Sequence, residues 1–226
     1  MVKLSKRMKE AEKLITEGTT APLKEAVALL LKSPKVKFDE TIELHFNLNI
    51  DVKNTDQNVR GTVVLPHGTG KTIRIAVICK GAPAQKAKEL GADHVGAEEL
   101  IEKISKGFLD FDCMIAAPDM MRELSKLGKI LGPRGLMPSP KAGTVTLDVE
   151  RAIKEVKAGK VEFKADKQAG IHIGIGKRSF AELKLTENAN CVIEAITHMK
   201  PASVKGNFIK SLYLASTMGP GVRIAL

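Results

Sequence analysis

The stretch Gly61-Thr-Val-Val-Leu-Pro-His-Gly-Thr-Gly-Lys-Thr72 separates two extended segments of different character. The segment before Pro66 is rich in β-branched residues and continues a sequence that alternates apolar with polar residues. The segment after it, residues 73–79, is almost continuously apolar, which is typical of a strand buried on both faces. We interpret Pro66, His67 and Gly68 as a hinge between two domains, because proline lacks a backbone donor and glycine relaxes the chain.

The chain is expected to return to its first domain near Gly159. A helical pattern ends at this glycine, and an alternating strand pattern resumes directly after it. The sequence therefore predicts a discontinuous outer domain, formed by residues 1–66 and 160–226, and an inserted domain of residues 67–159. Gly159 is the second part of the predicted hinge.

The outer domain is predicted to be a two-layer α+β structure. Its clearest strand, residues 41–51, has an apolar residue at every second position, so one face is buried and the other is free for a partner. A charged helix is expected over residues 5–17, and a second helix is expected to begin with a capping hydroxyl at Thr19 or Thr20 and Pro22 in its first turn. Further strands are expected over residues 161–165, 171–175, 209–217 and 222–225, and a further helix over residues 180–198.

Strands and helices alternate in the inserted domain, which predicts a Rossmann-like α/β structure with a parallel sheet. Residues 128–141 contain three glycines and three prolines, which predicts a loop. Strands are expected over residues 73–79, near His94 and over residues 111–117. Helices are expected over residues 81–91, 97–105, 118–127 and 149–157. The predicted fold class is therefore α/β and α+β, in two domains.

The charge of the chain favours a polyanionic partner such as nucleic acid. The net charge of the 226 residues is +10, and the alternative is an evenly solvated basic surface. Acidic residues are absent from residues 124–147 and from residues 195–226. Two acid-free stretches favour two basic surfaces over evenly mixed charge.

No residue pattern predicts an enzyme. Gly70-Lys-Thr72 resembles the end of a phosphate-binding P-loop, but Leu65 stands where that motif needs glycine, and a strand is predicted after Lys71 instead of a helix. Gly174-Ile-Gly-Lys-Arg-Ser179 resembles a dinucleotide-binding turn, but Ser179 replaces the third glycine, so we interpret it as a plain strand-to-helix turn. The five histidines and three cysteines lack metal-ligand or disulfide spacing. No cofactor, metal or membrane span is expected, and the thiols are expected to be buried in a reducing cytoplasm.

Two stretches of the outer domain are candidates for RNA contact, residues 37–41 and residues 211–219. Both place hydroxyls, a lysine and compact apolar groups at strand ends that can be neighbours in one sheet. Aromatic residues make up only 4% of the chain, which disfavours base stacking on an aromatic platform. Hydroxyls and glycines suit contacts to the backbone and 2′-hydroxyls of structured RNA. From residue types alone, a solvated sheet edge is an equal alternative.

Four motifs that together span the chain resemble those of the family of ribosomal protein L-one, from the large subunit. They are Lys37-Phe-Asp-Glu-Thr41, Asp56-Gln-Asn-Val-Arg-Gly-Thr-Val-Val-Leu-Pro-His-Gly68, Leu124-Ser-Lys-Leu-Gly-Lys-Ile-Leu-Gly-Pro-Arg-Gly-Leu-Met-Pro138 and Ser216-Thr-Met-Gly-Pro220. The resemblance implies a non-enzymatic, bacterial-type ribosomal protein in the cytoplasm, with two domains, monomeric when free. It also implies a place on the mobile lateral stalk, help in releasing tRNA from the exit site, and repression of the protein's own operon mRNA through a mimic of the rRNA site.

The same resemblance implies which residues touch RNA. The main rRNA contacts fall in the outer domain, on Lys37, Phe38, Thr41, Ser211, Thr217, Met218 and Gly219. Secondary contacts to RNA or tRNA are implied for the basic residues of the inserted domain, Lys126, Lys129, Arg134 and Lys141. The Thr217 hydroxyl is expected to point outward, and Gly219 is expected to allow a positive φ and a close approach of RNA.

Two other functions remain as alternatives. One is an RNA-binding relative of this family that is not ribosomal. The other is a nucleotide-dependent enzyme that uses the inserted α/β domain.

Overall fold

The structure is a computed structural model that describes residues 5–15 and 20–225, without the side chains of Thr55 and Ala82. The expected cap Thr19 and the end of the first predicted helix therefore lie outside the described residues. The chain divides into two compact units. Unit 1 consists of Met1–Gly70 and Val161–Leu226, and unit 2 consists of Lys71–Lys160.

Helices and strands are numbered in chain order. The helices of the described residues are α1 Lys6–Leu14, α2 Leu23–Lys32, α3 Ala82–Glu89, α4 Glu98–Ser105, α5 Met121–Leu124, α6 Gly128–Leu131, α7 Val149–Lys157 and α8 Glu182–His198. The strands are β1 Thr20–Ala21, β2 Thr41–Leu48, β3 Arg60–Val64, β4 Ile75–Ile78, β5 His94–Gly96, β6 Cys113–Ala116, β7 Lys160–Lys164, β8 Gly170–Lys177, β9 Ile209–Ser216 and β10 Val222–Ile224.

Unit 1 is built on a five-stranded sheet with the order β1-β10-β9-β2-β8. The central strand β2 is antiparallel to both β8 and β9, with Leu44 paired to Ile173 on one side and to Leu214 on the other. Along β2 burial alternates, as the sequence predicts, so one face of the sheet joins the core and the other faces solvent. Helices α2 and α8 pack against each other and against the core face.

Unit 2 contains a parallel sheet with the order β5-β4-β6. The central strand β4 is buried on both faces. Ala76 and Ile78 face one core, shared with residues of α4 and α5, whereas Ile75 and Val77 face a second core, shared with α7. This two-sided burial explains the continuous apolar run, and the mixed α/β class predicted from the sequence is confirmed.

The start of α2 differs from the prediction. Thr20 does not cap the helix but lies in β1, which pairs in parallel with β10, so Thr20 stands opposite Arg223. Pro22 occupies the N-cap position, where no side chain accepts a hydrogen bond from the first turn. Thr20 therefore lies two residues before the N-cap, and its pairing with β10 holds it at that position.

Several other boundaries shift by a few residues, and the following elements differ most from the prediction. Strand β2 ends at Leu48 because the carboxylate of Asp51 turns the chain by accepting the Lys53 N–H at 3.0 Å. The helix predicted over residues 118–127 is interrupted by single turns of 3₁₀ helix on both sides of α5. The predicted loop of residues 128–141 begins with α6, because Leu131 is fully buried against the core of unit 2.

Candidate nucleic-acid interface

The two candidate stretches of unit 1 meet at one corner of its sheet. Thr217, directly after β9, donates its backbone N–H to the Thr41 carbonyl at 3.0 Å. In return, the Thr217 hydroxyl oxygen accepts the Thr41 N–H at 3.0 Å and lies 3.2 Å from the Thr41 carbonyl. The Thr217 side chain is exposed as predicted, but its hydroxyl already serves the fold. A partner can use only the remaining lone pair of that oxygen.

A buried carboxylate supports this corner from below. Glu40 is fully buried, and its Oε1 accepts the Ser216 hydroxyl at 3.1 Å and the Met218 N–H at 3.2 Å. Its Oε2 accepts Arg178 Nη1 at 2.6 Å. Glu40 thus holds the chain on both sides of Thr217, so the turn is fixed before any partner arrives.

Arg178 ties the same corner to the end of α2. Its Nη2 donates to the carbonyls of Ser33 and, at 3.0 Å, Leu31, where the helix leaves carbonyl groups unpaired. The Arg178 Nε–H is buried without an acceptor among the described residues. Arg178 lies in the motif that resembles a dinucleotide-binding turn, and in this structure it forms a buried ion pair with Glu40.

Two apolar side chains stand exposed beside the corner. Phe38 is 54% exposed and Met218 is 51% exposed. The Met218 carbonyl accepts Arg7 Nη2 of α1 at 2.5 Å, so the backbone of Met218 is bonded while its side chain is exposed. An exposed phenyl ring and a thioether beside cations suit contact with a sugar or a base face.

The segment before β2 and the end of β8 add positive charge to this corner. Lys37 is exposed, and Lys177 donates to the Thr41 hydroxyl at 3.0 Å. Asp39 does not face the solvent freely, because its carboxylate accepts the Ser179 N–H at 3.1 Å and hydroxyl at 2.7 Å. The arrangement leaves Lys37 as a cation that can meet a phosphate.

Gly219 is required by packing and not by its backbone angle. Its φ does not lie in the left-handed region, contrary to the expectation. A Cβ at this position would collide with the hydroxyl of Ser216, which is buried and bonded to Glu40. The glycine therefore protects the support of the corner.

A cross-strand row occupies the middle of the exposed face. His45 is paired with His172 on β8 and with Tyr213 on β9, and Tyr213 is paired with Arg223 on β10. The Nδ1 atoms of the two histidines are 2.8 Å apart. Sequence reasoning did not select this row, although its members occupy outward positions of alternating strands. Ser211 lies further along β9, opposite Asn47.

The electrostatics of this row oppose protonation of His45. Burial lowers the pKa of His45, and repulsion from His172 lowers it further, while Glu43 partly offsets both effects. Asp166 lies 3.7 Å from His172 Nε2. The pKa of Asp166 is lowered, chiefly because its carboxylate accepts the backbone N–H groups of Gly170 and Gln168. At neutral pH the row therefore presents a neutral His45.

The residues predicted as a hinge are bonded within unit 1 up to Gly68. Asn188 of α8 is fully buried, and its side chain accepts the His67 N–H at 3.1 Å and donates to the Gly68 carbonyl at 3.0 Å. Gly70 has φ +72° and Gly159 has φ +101°, which are conformations that glycine adopts readily.

The basic residues of unit 2 form a separate candidate surface. Lys126, Lys129, Arg134 and Lys141 are all exposed, on the turns around α6 and the 3₁₀ turn after it. Buried Leu127 and Leu131 hold these turns against the core. The surface therefore presents cations on a packed support and not on a free loop.

In the described ranges, no group of three or more potential metal ligands occurs, and no helix is long and apolar enough to cross a membrane. Lys71 is followed by β4 and not by a helix, so the requirement of a P-loop fails there.

Comparison with known proteins gives the family. The profile of the ribosomal protein L1p/L10e family matches residues 30–220. Over 225 residues the chain is 54% identical to the large ribosomal subunit protein uL1 of Thermosipho melanesiensis, covering 99% of this chain and 97% of that protein. The chain belongs to the ribosomal protein L1p/L10e family. Membership confirms the resemblance seen in the sequence. The chain is a structural, non-enzymatic constituent of the large ribosomal subunit, and it is associated with ribosomes in the cytoplasm. Membership also implies binding of large-subunit rRNA.

Proposed function

We propose that unit 1 binds large-subunit rRNA through the corner formed by Thr41 and Thr217. The observation that carries this proposal is the buried pair of Glu40 and Arg178, which holds the Met218 turn in place before binding. A surface that is already ordered loses less conformational entropy when its partner binds.

The residues of this corner have distinct roles in the proposal. Lys37 contacts a phosphate, Phe38 and Met218 lie against a sugar or base, and Thr217 accepts a hydrogen bond from a 2′-hydroxyl. Thr41 and Gly219 shape the corner, and Ser211 extends the contact along β9. Hydroxyl contacts of this kind distinguish RNA from DNA, which fits a ribosomal protein.

On the ribosome we propose a place for the chain on the mobile lateral stalk, near the exit site for tRNA. The exposed cations of unit 2, Lys126, Lys129, Arg134 and Lys141, would make secondary contacts with RNA or with the departing tRNA, and so assist its release. The division of the chain after Gly70 and after Lys160 supports this idea, because two glycine-containing crossings allow rigid-body rotation. The bonds of Asn188 suggest that the pivot of the first crossing follows Gly68, near Gly70.

We also propose that free, monomeric protein represses its own operon mRNA. A segment of that mRNA would mimic the rRNA site and occupy the same corner of unit 1. The two RNAs must then compete, and every substitution at the corner must weaken both to a similar extent.

Replacing Phe38 by alanine tests the corner directly. If the ring lies against a base, Phe38→Ala weakens binding of a stalk rRNA fragment by about 1–3 kcal/mol, since this is the usual cost of a lost stacking contact. Binding is measured by fluorescence anisotropy, with the mRNA leader as a competitor. Leu183→Ala is the matched control, because Leu183 is 71% exposed on α8, which packs on the core face of the sheet. Equal rRNA affinity of the two variants would refute the assignment.

A further inference from the structure

A groove lies at the end of β9 that is distant from Thr217. It has a volume of about 600 Å³ and is lined by Lys200, Lys210, Arg223 and Ser211, with Asn207 and Thr20 at its sides. All three cationic side chains are exposed. No aspartate or glutamate is among the described residues that line it, so the charge of the groove is uniformly positive.

The groove exists because one strand is longer than its neighbour. Strand β10 pairs with β9 only from Leu212 to Leu214, so residues 209–211 of β9 have no neighbouring strand on that side within the described part of the chain. The space is closed by the segment after α8, where Lys200 donates to the Gly206 carbonyl at 2.8 Å. The groove is therefore a formed concavity and not a flat patch of lysines.

The outward residues between the corner and this groove carry no charge of their own. They are Ser211, Tyr213 and Ala215 of β9 and Thr217 directly after it. Carboxylates lie instead on the neighbouring side of the sheet, where Glu43 of β2 faces Ala215 and Asp166 lies beside His172 of β8. A phosphate backbone would follow β9 and β10 because repulsion is weakest there.

We infer that the groove binds the RNA phosphate backbone and forms a second anchor for the RNA held at the Thr217 corner. The inference rests on the proposed function, because the RNA that reaches the groove is the one bound at the corner. Thr217 lies six positions after Ser211 along the chain, about 20 Å at the usual rise of a strand, which is long enough for several nucleotides. An extended peptide added to the free edge of β9 is the competing occupant, but only an acidic peptide would gain from the three cations.

The test compares two double variants with the same change in charge. Lys210→Gln with Arg223→Gln removes two groove cations, and Lys24→Gln with Lys184→Gln removes two exposed cations of α2 and α8 that do not line the groove. Affinity for a stalk rRNA fragment and for an unrelated RNA duplex is measured over a series of salt concentrations. Melting temperatures establish that both variants are folded.

The groove variant is expected to bind about tenfold more weakly at low salt, and its logarithmic salt slope should be smaller in magnitude by about two, one for each lost phosphate contact. The α2 and α8 variant should keep the slope of the unmodified protein. Arg223→Lys, which retains the charge, should also keep it. Because phosphate contacts carry no sequence information, the same change in slope is expected on the unrelated duplex.

The possible outcomes separate the two proposals. If the unmodified protein is folded but does not prefer the stalk fragment over the unrelated duplex, the proposed function fails. The measurements on the duplex then decide by themselves whether the groove contacts RNA phosphates. If the groove variant and the α2 and α8 variant have the same slope and affinity on both RNAs, the groove does not contact RNA. That result would overturn the inference and leave the corner intact.

Discussion

At the residue scale, the Thr217 hydroxyl has a structural role beside the RNA contact that we propose for it. The sequence predicts an outward side chain, and the structure adds a hydrogen bond that closes the edge of the sheet at Thr41. A change that removes the hydroxyl therefore weakens the fold as well as RNA binding. An outward hydroxyl without a partner in the protein could be removed with little change in stability, but the bond to Thr41 excludes this for Thr217.

Thr217→Val is expected to lower the free energy of unfolding by about 0.5–1.5 kcal/mol, the usual net worth of one hydrogen bond. Thr217→Ser keeps the hydroxyl and is the control, with a smaller loss. Denaturant titration measures both variants, and rRNA affinity is measured on the same samples. An unchanged stability of Thr217→Val would mean that the bond to Thr41 adds nothing.

At the element scale, the buried pair of Glu40 and Arg178 connects three parts of unit 1. It joins the start of β2, the end of β8 and the last carbonyls of α2, and through Met218 it also sets the turn after β9. A buried ion pair is costly to form, but removing one partner is costlier because it leaves an uncompensated charge. This explains why the pair can position a surface turn.

Arg178→Leu is expected to cost about 3–5 kcal/mol of stability, because the Glu40 carboxylate loses its partner. Arg60→Leu is the control, since it breaks an ion pair with Glu162 at 2.5 Å that is about one-third exposed. That change should cost only about 0–1 kcal/mol. Chemical denaturation of the two variants makes the comparison, and similar losses in both would contradict a special role for the buried pair.

The contact between His45 of β2 and His172 of β8 predicts that the stability of the fold depends on pH. Because the pKa of His45 is lowered in the folded state, the unfolded chain binds a proton at this site more readily than the folded chain. The free energy of unfolding must then fall as pH decreases through the ordinary histidine range near about 6.5. Protonation of both rings would also remove the acceptor from their hydrogen bond.

His45→Gln should have a smaller decrease in melting temperature between pH 7.5 and pH 5.5 than the unmodified protein, because the variant lacks this titration. Titration of the His45 ring by NMR is the second measurement. A midpoint at or above the ordinary value of about 6.5 would contradict the burial argument.

On the scale of the whole molecule, each unit has a hydrophobic core of its own. The core of unit 1 contains residues from both ends of the chain, including Val27, Phe46 and Leu214, and the two cores of unit 2 lie on opposite faces of its sheet. A unit with a complete core can fold independently. This property makes the assignment of RNA binding to unit 1 testable.

A chain that joins residues 1–70 to residues 161–226 through a short linker is expected to unfold in one cooperative transition. It should also keep rRNA affinity within about tenfold of the full chain, which corresponds to about 1.4 kcal/mol. Calorimetry and anisotropy measure the two properties. A folded product without rRNA affinity would show that unit 2 supplies an essential part of the binding surface.

The local pattern of residues was sufficient to predict much of this fold. The alternation along β2, the continuous apolar run of β4 and the helical periodicity of α7 each predict an element that the structure contains. They succeed because the side of a strand or helix that faces the core leaves a regular trace in the sequence. The family motifs likewise singled out the residues on both sides of the Thr41 corner.

Contacts between distant positions could not be predicted in this way. Glu40 and Arg178 lie 138 residues apart, and each has the appearance of a surface charge when only its neighbours in sequence are considered. The row of His45, Tyr213 and Arg223, the bonds of Asn188 and the groove beside β9 also depend on strand register and order. Periodicity records which face is buried, but only the folded chain determines which residues become neighbours on that face, because register is set by the packing of the whole sheet.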